Sequence, residues 1–182
     1  MPHVLDHLMD EHREVERLLE ELKGASGDAR RTAFDDLVRS LELHMAVEER
    51  FVYPLVSEHI GTEEAESASD EHELARAGIA EARRRLEDGA FEAAIEVLEA
   101  GISHHVEEGE AEIFPELRQK ARGQLDAMDP DRLETEVEEG SGSGGAGDER
   151  SKDELLEEAR KRDISGRSSM TKDELRDALG DG

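Results

Sequence analysis

Leu41-Glu42-Leu43-His44-Met45-Ala46-Val47-Glu48-Glu49-Arg50-Phe51-Val52-Tyr53-Pro54-Leu55 is the stretch that decides how this chain folds. Its apolar residues do not alternate as a half-buried strand requires. Leu41, Val52 and Leu55 continue a series that begins at Phe34 and Leu37, in steps of three and four. Such steps return to one face of an α-helix. Two members of the same stripe are His44 and Glu48. A helix that turns an imidazole and a carboxylate toward a core needs partners for both, because buried polar groups left unpaired are costly.

The same periodicity extends in both directions. Leu5, Leu8, Val15, Leu19 and Leu22 mark a first helix over residues 3–23, broken by Gly24, Ser26 and Gly27. Asp28 is the expected N-cap of the second helix, which runs to about His59 and stops at Gly61. Thr62, Glu63 and Glu64 open a third helix, where acids suit the positive end of the helix dipole. Ala65, Ala68, Ala75, Ile79 and Leu86 form its inner stripe, and Asp88-Gly89 ends it. A fourth runs from Phe91 to about Arg122, with Ile95, Leu98, Ile102, Ile113 and Leu117 inward. Pro54 and Pro115 fall inside helical patterns and should kink or interrupt them. Long helices joined by short loops predict an all-α, antiparallel up-down-up-down four-helix bundle.

Each stripe substitutes one histidine for an aliphatic residue: His12, His44, His72 and His105. Counted from the connecting turns at about 1.5 Å per residue, all four fall at nearly one level. A lone buried histidine is ordinarily a hydrogen-bonded core residue. Four in one layer present many ring nitrogens to an apolar interior, and a metal supplies their partners. Glu48, four residues after His44, and Glu110, five after His105, bring carboxylates to the layer. Bridging two cations would neutralise them. Imidazole and carboxylate without thiolate suit iron, manganese or zinc. His104 lies off the stripe, so His105 is the expected ligand of the pair; His7 is expected at the surface, and His3 and His59 lie near helix ends.

These residues resemble the hemerythrin-like, or HHE cation-binding, family. The resemblance covers about residues 3–122. It is carried by Asp10-Glu11-His12, by His44 with Glu48-Glu49 and Tyr53-Pro54, by Asp70-Glu71-His72, and by His105 with Glu110 and Phe114-Pro115. It implies a four-helix bundle with a centre of two iron ions, in preference to manganese or zinc. It assigns His12 and His44 to one iron, His72 and His105 to the other, and Glu48 and Glu110 as bridges. Oxygen-carrying members have a further histidine four residues after the one on the third helix. Here that position is Arg76, which favours a centre open to solvent or substrate over a reversible oxygen carrier. The function so implied is a non-haem di-iron protein that binds or reacts with a small diatomic ligand or peroxide, in sensing, stress response or iron handling. A peroxide- or oxygen-consuming enzyme is a second reading.

The 182 residues include 49 acidic and 23 basic side chains, a net charge of −26. That surface repels nucleic acid and anionic membranes. The chain has no cysteine, which excludes disulfides, thiolate metal sites and thiol catalysis. The N-terminus carries acids where a signal peptide needs bases and then an apolar run, and no stretch reaches the roughly 20 apolar residues of a membrane span. The expected setting is cytoplasmic, with no membrane partner.

Beyond a bundle domain over residues 1–128, residues 129–148 read as an acidic and then Gly/Ser-rich linker, a flexible tether. Residues 149–182 read as a separate module, in which Ser151-Lys152-Asp153-Glu154-Leu155 recurs as Thr171-Lys172-Asp173-Glu174-Leu175. Both phrases are capping boxes, so two short helices are expected. The module resembles SAP-like, or Rho-termination-factor N-terminal-like, helix-extended-helix units, which implies contact with nucleic acid or a protein partner. With eight basic and nine acidic residues between 149 and 180 it is nearly neutral. An adaptor acting through this module is the alternative to the metal-centred function.

Overall fold

The computed structural model describes residues 3–142 and Lys161. The chain divides into two units, Met1–Glu138 and Glu139–Gly182, and the first is described below. The expected SAP-like module lies outside the described residues, Lys161 apart.

The described residues contain helices and no strand. Four helical rods carry the core. The first is α1 (Val4–Gly24). The second joins α2 (Gly27–Val47), a π-helical turn (Glu48–Val52) and α3 (Tyr53–His59). The third is α4 (Thr62–Arg84). The fourth joins α5 (Phe91–Glu108), a second π-helical turn (Gly109–Ile113) and α6 (Phe114–Lys120). Short helices α7 (Arg122–Leu125) and α8 (Pro130–Gly142) follow. The His3 ring accepts the Leu5 amide at the start of α1. Ser26, not Asp28, precedes the first residue of α2. That first residue, Gly27, has φ +57°, a left-handed conformation that glycine adopts without a Cβ penalty.

Pro54 and Pro115 do not break their rods. Each follows a π-helical turn and occupies the first turn of the next α-helix. Proline has no N–H, and its ring clashes with the carbonyl four residues back. The widened turn relieves both, since the Tyr53 amide bonds to the Glu48 carbonyl and the Phe114 amide to that of Gly109, five residues back. A π-bulge of this kind re-aims the side chains at its start.

Two apolar clusters fill the interior, and all four rods contribute to each. One holds Leu5, Leu8, Val52, Leu55, Ala68, Phe114 and Leu117 among others. The other holds Val15, Leu19, Phe34, Leu37, Leu41, Ile79, Ile95 and Leu98. Along the chain α1 passes from the first cluster to the second, the next rod returns to the first, α4 passes to the second and the last rod returns. The crossing point in each rod is the histidine expected from the sequence. His12, His44, His72 and Glu48 are the buried polar residues between the clusters among those described.

The expected tether starts as a helix. α8 covers residues read as linker, and its Leu133 and Val137, one turn apart, are buried in the first cluster. Arg50 also donates to the Glu136 carbonyl. The linker expectation fails over this stretch because Leu133 and Val137 are spaced to share a helix face, ahead of the Gly/Ser run. Leu133→Ala and Val137→Ala should each lower unfolding free energy, by about 2–3 kcal/mol for the leucine and about 1 for the valine, in urea titrations monitored by far-ultraviolet circular dichroism. No change would mean that α8 contributes no packing.

Candidate metal centre

The π-helical turn at Glu48 and the stripes of four rods bring four imidazoles to one carboxylate. His12, His44 and His72 are 2–3% exposed and Glu48 is 1% exposed, while His105 is half-buried. All four rings turn Nε2 inward. The Nε2 atoms of His12 and His44 are 3.2 Å apart, and those of His72 and His105 are 3.4 Å apart. Glu48 Oε2 lies between the pairs, 3.2 Å from His72 Nε2, 3.2 Å from His105 Nε2 and 3.5 Å from His44 Nε2. The Tyr53 hydroxyl, one turn along, donates to Glu48 Oε2 at 3.3 Å and lies 2.9 Å from His72 Nε2.

The outer nitrogen of each ring has its own carboxylate. His12 Nδ1 meets Glu110 at 2.8 Å, His44 Nδ1 meets Glu11 at 3.0 Å, His72 Nδ1 meets Glu49 at 2.9 Å, and His105 Nδ1 meets Glu71 at 2.9 Å. An imidazole held this way keeps its proton on Nδ1 and offers the Nε2 lone pair inward, and the carboxylate raises its basicity as a ligand. The carboxylates are themselves braced. Arg13 donates to Glu110 and Arg76 to Glu49.

Of the six expected site residues, five meet at the centre: His12, His44, Glu48, His72 and His105. The sixth, Glu110, faces the outer side of His12, and its oxygens go to the His12 Nδ1 and to Arg13. It falls one residue beyond the position that corresponds to Glu48, and that step on a helix turns it away from the Nε2 atoms. Arg76 does not enter the centre. It lies at the rim with Glu42, Glu49 and Glu73, so it holds Glu49 against His72. His104 is 70% exposed in its side chain, with Glu71 nearby. His7, expected at the surface, is half-buried and pairs with Glu134 of α8, the helix the sequence reading treated as tether.

Glu11, Glu49 and Glu71 lie within the sequence motifs, where periodicity assigns them no role. Each stands beside a site residue on its own helix, yet serves a histidine of another rod. The signal available was the repeated Asp-Glu-His phrase; which histidine each acid reaches is a matter of packing.

The electrostatics follow from burial. Burial alone would raise the Glu48 carboxyl, but His44, His105 and His72 hold it well below the usual carboxylate range. Burial would lower His44, but Glu48 and Glu11 outweigh it and push the ring up to about 10. Burial likewise opposes the charge on His105, and Glu48 and Glu71 prevail to raise it. His12 is lowered, first by burial and then by the His44 charge. Glu48 is therefore a buried anion compensated by its imidazole neighbours, and a cation placed there would do the same work with directed bonds.

The donor set fits such a cation. One ligand atom each from His12, His44, Glu48 and His105 lie within 4.8 Å of one another. Two imidazole nitrogens bound at about 2.1 Å, at near-tetrahedral or octahedral angles, stand roughly 3.0–3.4 Å apart, which matches both histidine pairs. The hemerythrin HHE cation binding domain matches residues 3–117, a span that holds every residue of the centre. The chain belongs to that family. No curated protein and no solved structure matches it.

Because Glu48 and Glu11 push His44 up to about 10, that ring carries a second proton at neutral pH, which a cation must displace. Loading with a divalent cation should release protons, read as a buffer-dependent enthalpy in calorimetry, and apparent affinity should rise with pH. Glu49→Ala should weaken the cation by about 10–100-fold with the fold retained, since it removes the acceptor that orients His72. Unchanged affinity would show that the outer carboxylates do not tune the centre.

Proposed function

We propose that this member of the family is a non-haem two-iron protein. His12 and His44 hold one iron, His72 and His105 the other, and the Glu48 carboxylate lies between them. The observation that carries the reading is the convergence of four Nε2 atoms on one buried carboxylate, with every Nδ1 held by a separate glutamate. Nitrogen and oxygen donors without thiolate support iron, and the family resemblance favours it over manganese or zinc. Glu110, expected as a second bridge, is assigned here to positioning His12.

Iron held this way supplies a redox-active Lewis acid to a small diatomic ligand or peroxide. The chain's own groups set the surroundings. Tyr53 holds Glu48 and His72 by hydrogen bonds, Phe114 stacks parallel to the His12 ring with centroids 6.0 Å apart, and the two apolar clusters exclude water on either side. Sensing, stress response or iron handling are the roles this centre serves. The alternation of the rods between the two clusters supports an antiparallel up-down-up-down four-helix bundle over residues 1–128. The repeated capping-box phrase supports a SAP-like module over residues 149–182. No helix among the described residues is long and apolar enough to cross a membrane, and the lack of cysteine accords with a cytoplasmic setting.

The test is metal content per chain and the visible spectrum of the full chain, purified under air. The expected result is about two irons per chain, with absorption that disappears in His44→Ala. No bound metal, even after anaerobic reconstitution with ferrous iron, overturns the reading. His44→Ala as stable as the unsubstituted chain, whether or not iron is present, points to a metal-free core in which the histidine only adds buried polarity.

A further inference from the structure

His7 and Glu11 stand four residues apart on α1, so both project from one face of that helix. α8 reaches the same face. Its Leu133 and Val137 are buried in the first apolar cluster, and their packing carries Glu134 against α1. His7 Nε2 meets Glu134 Oε1 and stands 3.9 Å from Glu11 Oε1. One ligand atom from each of His7, Glu11 and Glu134 lies within 4.8 Å of the other two, and all three residues are half-buried. The four-histidine centre uses only the far oxygen of this group: Glu11 Oε2 accepts from His44 Nδ1 at 3.0 Å. Glu11 Oε1 is turned the other way, toward His7.

Two carboxylates converge there on one ring nitrogen. A ring nitrogen carries at most one proton, and its N–H points in one direction. It serves one of the two oxygens and leaves the other facing a like charge, away from bulk water, where the repulsion is less screened. Glu49 and Glu110 meet the same problem with the forked donors of Arg76 and Arg13. Between Glu11 and Glu134 the group is an imidazole, which is a metal ligand when neutral. Donors bound to one cation at about 2.1 Å stand roughly 3–4 Å apart. His7 Nε2 and Glu11 Oε1 already have that spacing, and a small rotation of the Glu134 side chain supplies the third donor. Three protein ligands of this kind leave a coordination position for water. The net charge of −26 draws divalent cations to the surface around them.

We propose that His7, Glu11 and Glu134 form a further divalent-cation site, separate from the four-histidine centre, that clamps α8 onto α1. One imidazole and two carboxylates without thiolate suit zinc, manganese or ferrous iron. The cation compensates both carboxylates at once and adds directed bonds to the apolar packing of Leu133 and Val137. Glu134 lies beyond residues 3–117, the span of the family's domain, so the clamp belongs to what this chain adds to that domain. The site does not depend on whether the four-histidine centre holds iron.

The experiment uses the full chain after loading with iron, and zinc(II) as the probe. Zinc is titrated in calorimetry, and retained zinc and iron are counted by elemental analysis after gel filtration. One saturable zinc per chain beyond the metal of the centre is expected, and it should slow hydrogen exchange of the α8 amides from Leu133 to Val137. His7→Ala and Glu134→Ala should each weaken that zinc by about tenfold or more, with iron content and visible spectrum unchanged. No saturable zinc in the unsubstituted chain overturns the proposal. Zinc held equally by both variants is association with the acidic surface and overturns it as well. Loss of iron together with zinc from Glu134→Ala overturns the separateness of the two sites. A chain that takes no iron fails the two-iron reading alone, because the clamp is scored by the zinc difference between the unsubstituted and Glu134→Ala chains. Glu134→Ala keeps a good helix former in α8, so that comparison stands should His7→Ala fail to fold.

Discussion

A carboxylate that is 1% exposed between two apolar clusters has to be neutralised where it sits, and much of this structure is arranged around that requirement at Glu48. Left unpaired, the ion would be protonated or would pull water into the core. Instead three imidazole nitrogens and the Tyr53 hydroxyl reach the same oxygen. Each rod places its histidine at the level of Glu48, between apolar residues that belong to different clusters. A shift of one rod by a single turn, about 5.4 Å, would separate its ring from Glu48 and bring aliphatic side chains against the charge. The polar layer thereby sets the register of the rods, while the apolar clusters supply the driving force for packing.

Neutralisation spreads outward in steps. Every imidazole that turns Nε2 inward has an Nδ1 proton to place, and a glutamate accepts it. Two of those glutamates, Glu49 and Glu110, in turn meet Arg76 and Arg13 near the surface. The charge thus alternates from the centre to solvent. Arg76 takes its meaning from this arrangement. It stands outside the centre and holds the acceptor of His72. Two π-helical turns make the inner layer possible. Each carries a rod past a proline, and the first starts at Glu48, whose side chain enters the centre.

The near-twofold character of the pattern makes its one asymmetry informative. Glu48 with Tyr53 and Gly109 with Phe114 occupy matching places in their rods, yet one pair delivers a carboxylate with its hydrogen-bond donor and the other a glycine and a ring stacked on His12.

The sequence by itself determined the helical character of the chain, the four stripes and the level of the four histidines. Those are properties of a fixed repeat: with 3.6 residues per turn and a constant rise, face and depth can be counted along the chain. His44 with Glu48 was legible for the same reason, since a step of four residues returns to one face. Only the tertiary structure decided what crosses between rods. Glu11, Glu49, Glu71 and Glu110 each serve a histidine of another helix, so no count along one helix reveals them. Widened turns at Glu48 and Gly109 depend on how the rod absorbs a proline under packing, which composition does not express. The place of α8 depends on two apolar residues, Leu133 and Val137, finding a surface made by distant segments of the chain. Periodicity is a local property of the backbone; partnership across an interface is set by how the rods pack.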